Sequence, residues 1–260
     1  RLTDCLLEDN STSRDGGGLY AIESHLRVLG TQFVANWAQG NECEGGAVFI
    51  SDADWTRMDD CLFEGNSASR RGGGISTGSS LADPFLIHNT RFQNNRAQYD
   101  IELACSPCHD CWDQDPVYCQ CGGGPGNNGW DLAQDVQGGA IYHLGSSMTV
   151  EHCCFIGNEA ISTLVDDSPT SDVLIGGNAN GGALYREEYQ SLIVNACEFA
   201  ENNAIPYCHP ITGVCGEAAG GGIYDSDQID WDQEALSLQE SSFCDNSPSH
   251  LDGITVDEDD

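Results

Sequence analysis

Phe63-Glu-Gly-Asn66-Ser-Ala68, followed shortly by Gly72-Gly-Gly-Ile75, is one copy of a pattern that recurs along the whole chain. Full copies of Phe-x-x-Asn-x-Ala begin at Phe33, Phe63, Phe92, Phe155 and Phe199, and degenerate ones lie at Leu7 to Asn10 and Phe243 to Asn246. Each is followed by a glycine block, beginning at Gly16, Gly45, Gly72, Gly138, Gly181 and Gly220, with Leu251-Asp-Gly-Ile254 as a worn last copy. Self-similarity of this kind marks a repeat architecture. Spacing adds more. From the first glycine of a block to the next motif asparagine there are 20 to 26 residues, whereas between asparagine and glycine block there are 4 to 42. Each unit therefore has a nearly constant scaffold and one position that absorbs length, and surface loops grow at little entropic cost.

The constant part reads as strands. An aliphatic column recurs five residues before the Phe (Leu2, Val28, Met58, Ile87, Val150, Val194, Leu238), and a small column two residues before it (Cys5, Thr31, Cys61, Thr90, Cys153, Cys197, Ser241). Period-two alternation puts the small residue and the Phe on one strand face. About three short strands per unit, without a helical stretch long enough to cross a sheet, suit one turn of a parallel β-helix. The expected fold is all-β: a solenoid of about seven coils with long loops on one side. It forms a single domain over 1–260, with insertions at 96–137, 159–180 and 203–219. The Phe column would fill the core. Asn10, Asn36, Asn66, Asn95, Asn158, Asn202 and Asn246 would form an inward amide ladder. The glycines would serve the return of each loop.

Gly-Gly-Ala-aliphatic blocks (Gly45 to Val48, Gly138 to Ile141, Gly181 to Leu184) alternating with Phe-x-x-Asn resemble the repeat of the chlamydial polymorphic membrane proteins, surface autotransporter adhesins. Similar repeats occur in large secreted proteins of algae and other protists. The resemblance runs from residue 2 to residue 256. It implies that the β-helix is right-handed and that the chain works at a cell surface or outside the cell.

Composition narrows the partners. Forty-two acidic residues stand against nine arginines, with no lysine, for a net charge of −33. Nucleic-acid binding needs a basic surface, and docking on anionic lipid is equally disfavoured. Acidic loops attract cations. Asp225, Asp227, Asp230 and Asp232 form a candidate calcium cluster, with Asp52/Asp54 and Asp166/Asp167/Asp172 as others; none matches an EF-hand loop. No other cofactor is indicated.

Fourteen cysteines point to an oxidising compartment. Cys5, Cys61, Cys153 and Cys197 occupy the inward column; packing as thiols is favoured there, with a Cys153–Cys197 disulfide as the alternative. Cys208 and Cys215 bracket one loop and are expected to pair. Cys105, Cys108, Cys111, Cys119 and Cys121 form a disulfide knob in the longest insertion. Five is odd, so Cys154 is expected as the sixth member, with Cys43 next and zinc beside His109 as the rival reading. The one sequon, Asn10-Ser11-Thr12, coincides with the ladder: an inward Asn10 cannot carry a glycan, a frayed one can.

The sequence opens on Arg1-Leu2-Thr3, already inside a strand, and closes on Asp257-Glu-Asp-Asp260. Neither reads as a cap, so neighbouring parts or copies are expected to cover the ends, or the chain to be a fragment. Polysaccharide lyases and hydrolases use β-helices, but no lysine base exists, and no carboxylate pair recurs on adjacent coils beside a histidine. No outward Thr face suits ice binding. The sequence thus favours a non-catalytic extracellular structural subunit of a fibre, filament or coat, joined to itself or to other structural proteins. The alternatives are an adhesin-like or carbohydrate-binding module using the one-sided loops, and a polysaccharide-active enzyme. Tyr142, Tyr185 and Tyr224, with Tyr20 and Phe49 in the same column, stack on one another or on a ligand.

Overall fold

The computed structural model describes residues 1–40, 42–53, 55–78, 85–98, 135–145, 147–162, 178–187, 191–208, 215–226, 236–249 and 251–252. One coil shows the plan: strands Thr56–Asp59, Leu62–Glu64, Ser67–Ala68 and Ile75–Thr77 follow one another around the turn. Equivalent strands stack in sequence order, giving first, second and fourth sheets of seven strands and a third of six. Neighbours pair in parallel throughout these sheets, with Phe33, Phe63 and Phe92 directly in register. The chain is a right-handed parallel β-helix of seven coils.

Four strands per coil replace the expected three. The residues after the ladder asparagine pair as a short third strand, which puts Ala38, Ala68, Ala97, Ala160 and Ala204 in register. A fifth, three-stranded sheet forms from Val136–Gln137, Ala179–Asn180 and Ala218–Ala219. The insertions expected at 96–137, 159–180 and 203–219 accordingly begin and end in strands, and their variable parts are shorter than the sequence implies.

The core follows from the alternation. Phe33, Phe63, Phe92, Phe155, Phe199 and Phe243 stack with ring centroids 4.6–4.8 Å apart, the spacing of paired strands. Val28, Met58, Ile87, Val150 and Val194 line the first sheet's inner face, and Val48, Ile75, Ile141, Leu184 and Ile223 the fourth's; all are buried. Each such side chain contributes about 1.5–3 kcal/mol.

The small column has a second job that hydrophobic packing does not supply. Every coil passes from the first to the second sheet through a residue of positive φ: Asp4, Gly30, Asp60, Asn89, His152, Ala196 or Glu240. The next residue belongs to the small column, and its side chain closes the bend. Thr90 Oγ1 donates to His88 O (3.0 Å), Cys61 Sγ to Asp59 O (3.2 Å) and Cys197 Sγ to Asn195 O (3.3 Å). The same atoms accept the amide of the preceding coil, as in Cys61 N to Thr90 Oγ1 (3.3 Å) and Cys153 N to Cys197 Sγ (3.4 Å). A short side chain that both donates and accepts is required, which admits Cys, Thr and Ser but not Ala. Cys5, Cys61, Cys153 and Cys197 are free thiols.

A second positive-φ residue precedes each ladder asparagine: Asp9, Ala35, Gly65, Asn94, Gly157, Glu201 or Asp245. It aims the asparagine inward. Asn66 Nδ2 donates to Phe33 O of the coil before (2.8 Å) and to Asn95 Oδ1 of the coil after (2.9 Å), while Asn95 Oδ1 also accepts Asn66 N (3.1 Å). The pattern repeats through Asn36, Asn158 and Asn202, all fully buried, to Asn246, whose Nδ2 bonds Phe199 O. Asn10 is exposed, and its Nδ2, the atom a glycan would occupy, donates to Asn36 Oδ1 (2.8 Å).

Candidate functional site

The loops leave from the third sheet and return at the glycine blocks. Despite their unequal lengths they return to one register position. Glu44, Arg71 and Gln137 are joined by backbone bridges, and Gln137 pairs on to Asn180 and Asn180 to Ala219. The glycine that follows has a φ of 58–71° in every block from Gly16 to Gly220, and a Cβ there would also strike the carbonyl oxygen three residues on, as one on Gly138 would strike Ile141 O. The second glycine lies against the neighbouring coil: a Cβ on Gly139 would strike Gly182 O and the backbone of Glu159. These two constraints explain why the block tolerates variation only from its third residue onward.

Side chains lock the same column. Arg71 Nε donates to Gln137 Oε1 (2.7 Å) and its Nη1 to Glu44 Oε1 (3.2 Å), while Ser76 Oγ donates to Glu44 Oε2 (2.9 Å). The Arg71 guanidinium lies 4.6 Å from the Tyr142 ring centroid. Tyr142 in turn donates its hydroxyl to Glu187 (2.5 Å). Burial pushes the Glu44 carboxyl up despite Arg71, and burial, reinforced by Glu187, pushes the Tyr142 phenol up. Tyr142, Tyr185 and Tyr224 stack at 5.3–5.4 Å, and burial holds the Tyr185 phenol at about 12. Tyr20 and Phe49 stack separately, with Ser76 interrupting the column before Tyr142. Tyr142 and Tyr185 are buried, so these rings serve as a cross-coil stack at the loop roots.

A second anchor joins adjacent loops: Asn178 N donates to Asp135 Oδ1 (3.0 Å) and Glu217 N to Asn178 Oδ1 (2.8 Å). The Cys208–Cys215 disulfide closes the third long loop across an antiparallel bridge, beside Gly216 N to Tyr207 O (2.9 Å). The arrangement is a braced frame at the loop roots, in which Glu44, Arg71, Tyr142 and Glu187 engage one another.

Several expected site residues fall elsewhere. Asp225 is buried on the fourth sheet's inner face, and both its oxygens bond Arg186, at 2.7 Å from Nη2 and 3.1 Å from Nε. The guanidinium occupies the positions a calcium ion would need, so Asp225 leaves the calcium set. Asp227, Asp230 and Asp232 lie outside the described residues, as do Asp54, Asp166, Asp167 and Asp172. Among the described residues no cluster of three or more metal-ligating side chains occurs. Cys154 sits on the second sheet as a free thiol in register with Arg91 and Glu198, and is not the sixth member of the knob; Cys43 is a free, buried thiol. Cys105, Cys108, Cys111, Cys119 and Cys121 lie outside the described residues.

The reading from sequence missed Glu44, Arg71 and Gln137. Their shared place, immediately before a glycine block, was the available signal; their unlike chemistry hid it.

The family model of the Chlamydia polymorphic membrane protein (Chlamydia_PMP) repeat matches residues 60–78, from the bend before Cys61 to Gly78. No curated protein and no solved structure matches the chain. Residues 60–78 hold the second, third and fourth strands of one coil, and the other six coils stack on it in register. This coil thus carries a repeat of the polymorphic membrane protein type, and the other six coils share its register.

Proposed function

We propose that this chain is a non-catalytic, adhesin-like module of a cell-surface protein, and that its loops carry the binding surface. The observation that carries the reading is the common return column: loops of unequal length are brought to one line along the solenoid, and their roots are braced. The repeat type supports a surface setting. An acidic surface without lysine disfavours nucleic acid and anionic lipid as partners. The disulfide at Cys208–Cys215 suits the oxidising exterior.

The test is retention of cells on a surface coated with the unreduced chain. It is compared with variants in which residues 99–134 and 163–177 are each replaced by a five-residue turn like that between Asn66 and Gly72, and residues 209–214 by two glycines. Retention that falls on trimming, with an unchanged β-type circular dichroism spectrum, supports the module. Undiminished retention with all three loops trimmed sinks it. So does the appearance of regular filaments in negative stain that dissolve on chelation; that result would make the chain a calcium-dependent structural subunit.

A further inference from the structure

Five of the arginines described have an acidic partner within 4.0 Å: Arg57 with Asp59, Arg70 with Glu42, Arg71 with Glu44, Arg96 with Glu159 and Arg186 with Asp225. Arg27 is different. It is exposed on the outer face of the first sheet, with no carboxylate at ion-pair distance among the described residues, although the chain holds 42 acidic residues. It stands in register with Arg57 on the next coil, and like charges directly opposite disfavour pairing. Between them opens a groove of about 350 Å³ lined by Arg27, Trp55, Thr56, Arg57 and Leu86.

The groove's walls are fixed. Leu26 N donates to Trp55 O (3.1 Å), and the Trp55 indole meets the His25 ring edge-on at 5.8 Å. Arg57 is held against Asp59 by three hydrogen bonds of 2.7–3.0 Å. A smaller groove of about 80 Å³ shares Arg57 and Leu86 and runs on along the sheet to His88, Thr149 and Glu151. The track therefore has a cationic end at Arg27 and an acidic end at Glu151.

We propose that this track binds a glycan that ends in a carboxylated sugar, with the carboxylate on Arg27 and the sugar's apolar face against Trp55. A guanidinium presents parallel N–H donors that match a carboxylate, and an indole offers a rigid, partly apolar wall. Glu151 requires the units toward the far end to be uncharged. The chain's overall negative field acts weakly on the site at physiological salt, where screening sets in within about 8 Å. The site lies on a different sheet from the loop return column, and it stands or falls separately from the loops.

The experiment is calorimetric titration of the full, unreduced chain with 3′-sialyllactose and, in parallel, with lactose, both in chelator and about 0.15 M salt. Binding of the first, with lactose at least about tenfold weaker, is expected. Arg27→Ala should cost about tenfold or more in affinity, Arg27→Lys less, and Arg91→Ala, on the second sheet, nothing. The loop-trimmed variants should bind as the full chain does, which separates this site from the loop surface. Equal affinity for lactose, no heat with 3′-sialyllactose, or full affinity in Arg27→Ala with an unchanged circular dichroism spectrum would each overturn the proposal.

Discussion

Asn95 shows how much one side chain carries in this fold. It sits at the centre of the amide ladder, donating to Phe63 O and Asn158 Oδ1 and accepting from both nitrogens of Asn66. Asn95→Ala leaves buried donors and an acceptor unpaired on two neighbouring coils, at about 1–3 kcal/mol for each group left without a partner. A loss of roughly 2–4 kcal/mol in urea unfolding is expected. Asn10→Ala, at the exposed first coil, should cost under about 1 kcal/mol. Cys61 gives a pH test. Burial raises its thiol from the ordinary 9.0 to about 11. The folded state thus holds this proton more tightly than the unfolded chain, so the group's stabilisation is complete below pH 9 and lost as pH rises through about 11. Cys61→Thr keeps the donor and acceptor that Thr31 and Thr90 supply in the same column and removes the titration. Under reducing conditions the wild type should lose stability relative to Cys61→Thr across that window and track it below. The Phe and Asn columns were legible because each demands one residue type. The positive-φ columns were not: Asp, Gly, Asn, His, Ala and Glu all occupy them, since hydrogen bonds to the adjacent coils, such as His152 N to Asn195 O (3.0 Å), set the backbone there.

At the scale of the strand, the fourth sheet is the least uniform. Its inner column runs Ala21, Ile50, Thr77 in the first three coils and His143, Arg186, Asp225 in the next three. Thr77 Oγ1 lies 3.0 Å from His143 Nδ1, and Arg186 and Asp225 form a bidentate pair, both almost wholly buried. A solenoid interior thus changes from apolar to ionic along a single column, and the pair is retained because each member satisfies the other. Arg186→Ala strands a buried carboxylate and should cost about 3–5 kcal/mol, read as a shift in the urea midpoint. Arg186→Met with Asp225→Leu, which removes both charges and keeps volume, should recover most of that loss. Asp225 illustrates a limit of reading by composition. In the sequence it belongs to a run of acids beside Asp227 and resembles a cation site. In the fold, strand alternation turns it inward onto an arginine 39 residues earlier.

Over the whole molecule, charge and architecture act against each other. Seven coils stack acidic surface at a repeat near 4.8 Å, with 42 acidic side chains against nine arginines for a net charge of −33. Self-repulsion on this scale weakens with screening, so raising sodium chloride from about 0.01 M to 1 M should raise the thermal midpoint. A midpoint that falls or stays level would show that the ion pairs outweigh the repulsion. The coil count and the side from which the loops emerge were legible because spacing alone reveals them. The Arg27 groove was not, because its residues come from separate coils and share no motif. The loop return column has one more consequence. A change in a coil is felt by two neighbours, through ladder, stack and bridge, whereas a change in length between ladder asparagine and glycine block leaves every register intact. Mutational tolerance is therefore sharply uneven: the solenoid resists drift while its loops diversify, as a type bar holds steady while the letters are exchanged. Foreign peptides of very different size, grafted between Ser69 and Arg70, after the third strand and ahead of Arg71, should enter without disturbing the frame that presents them.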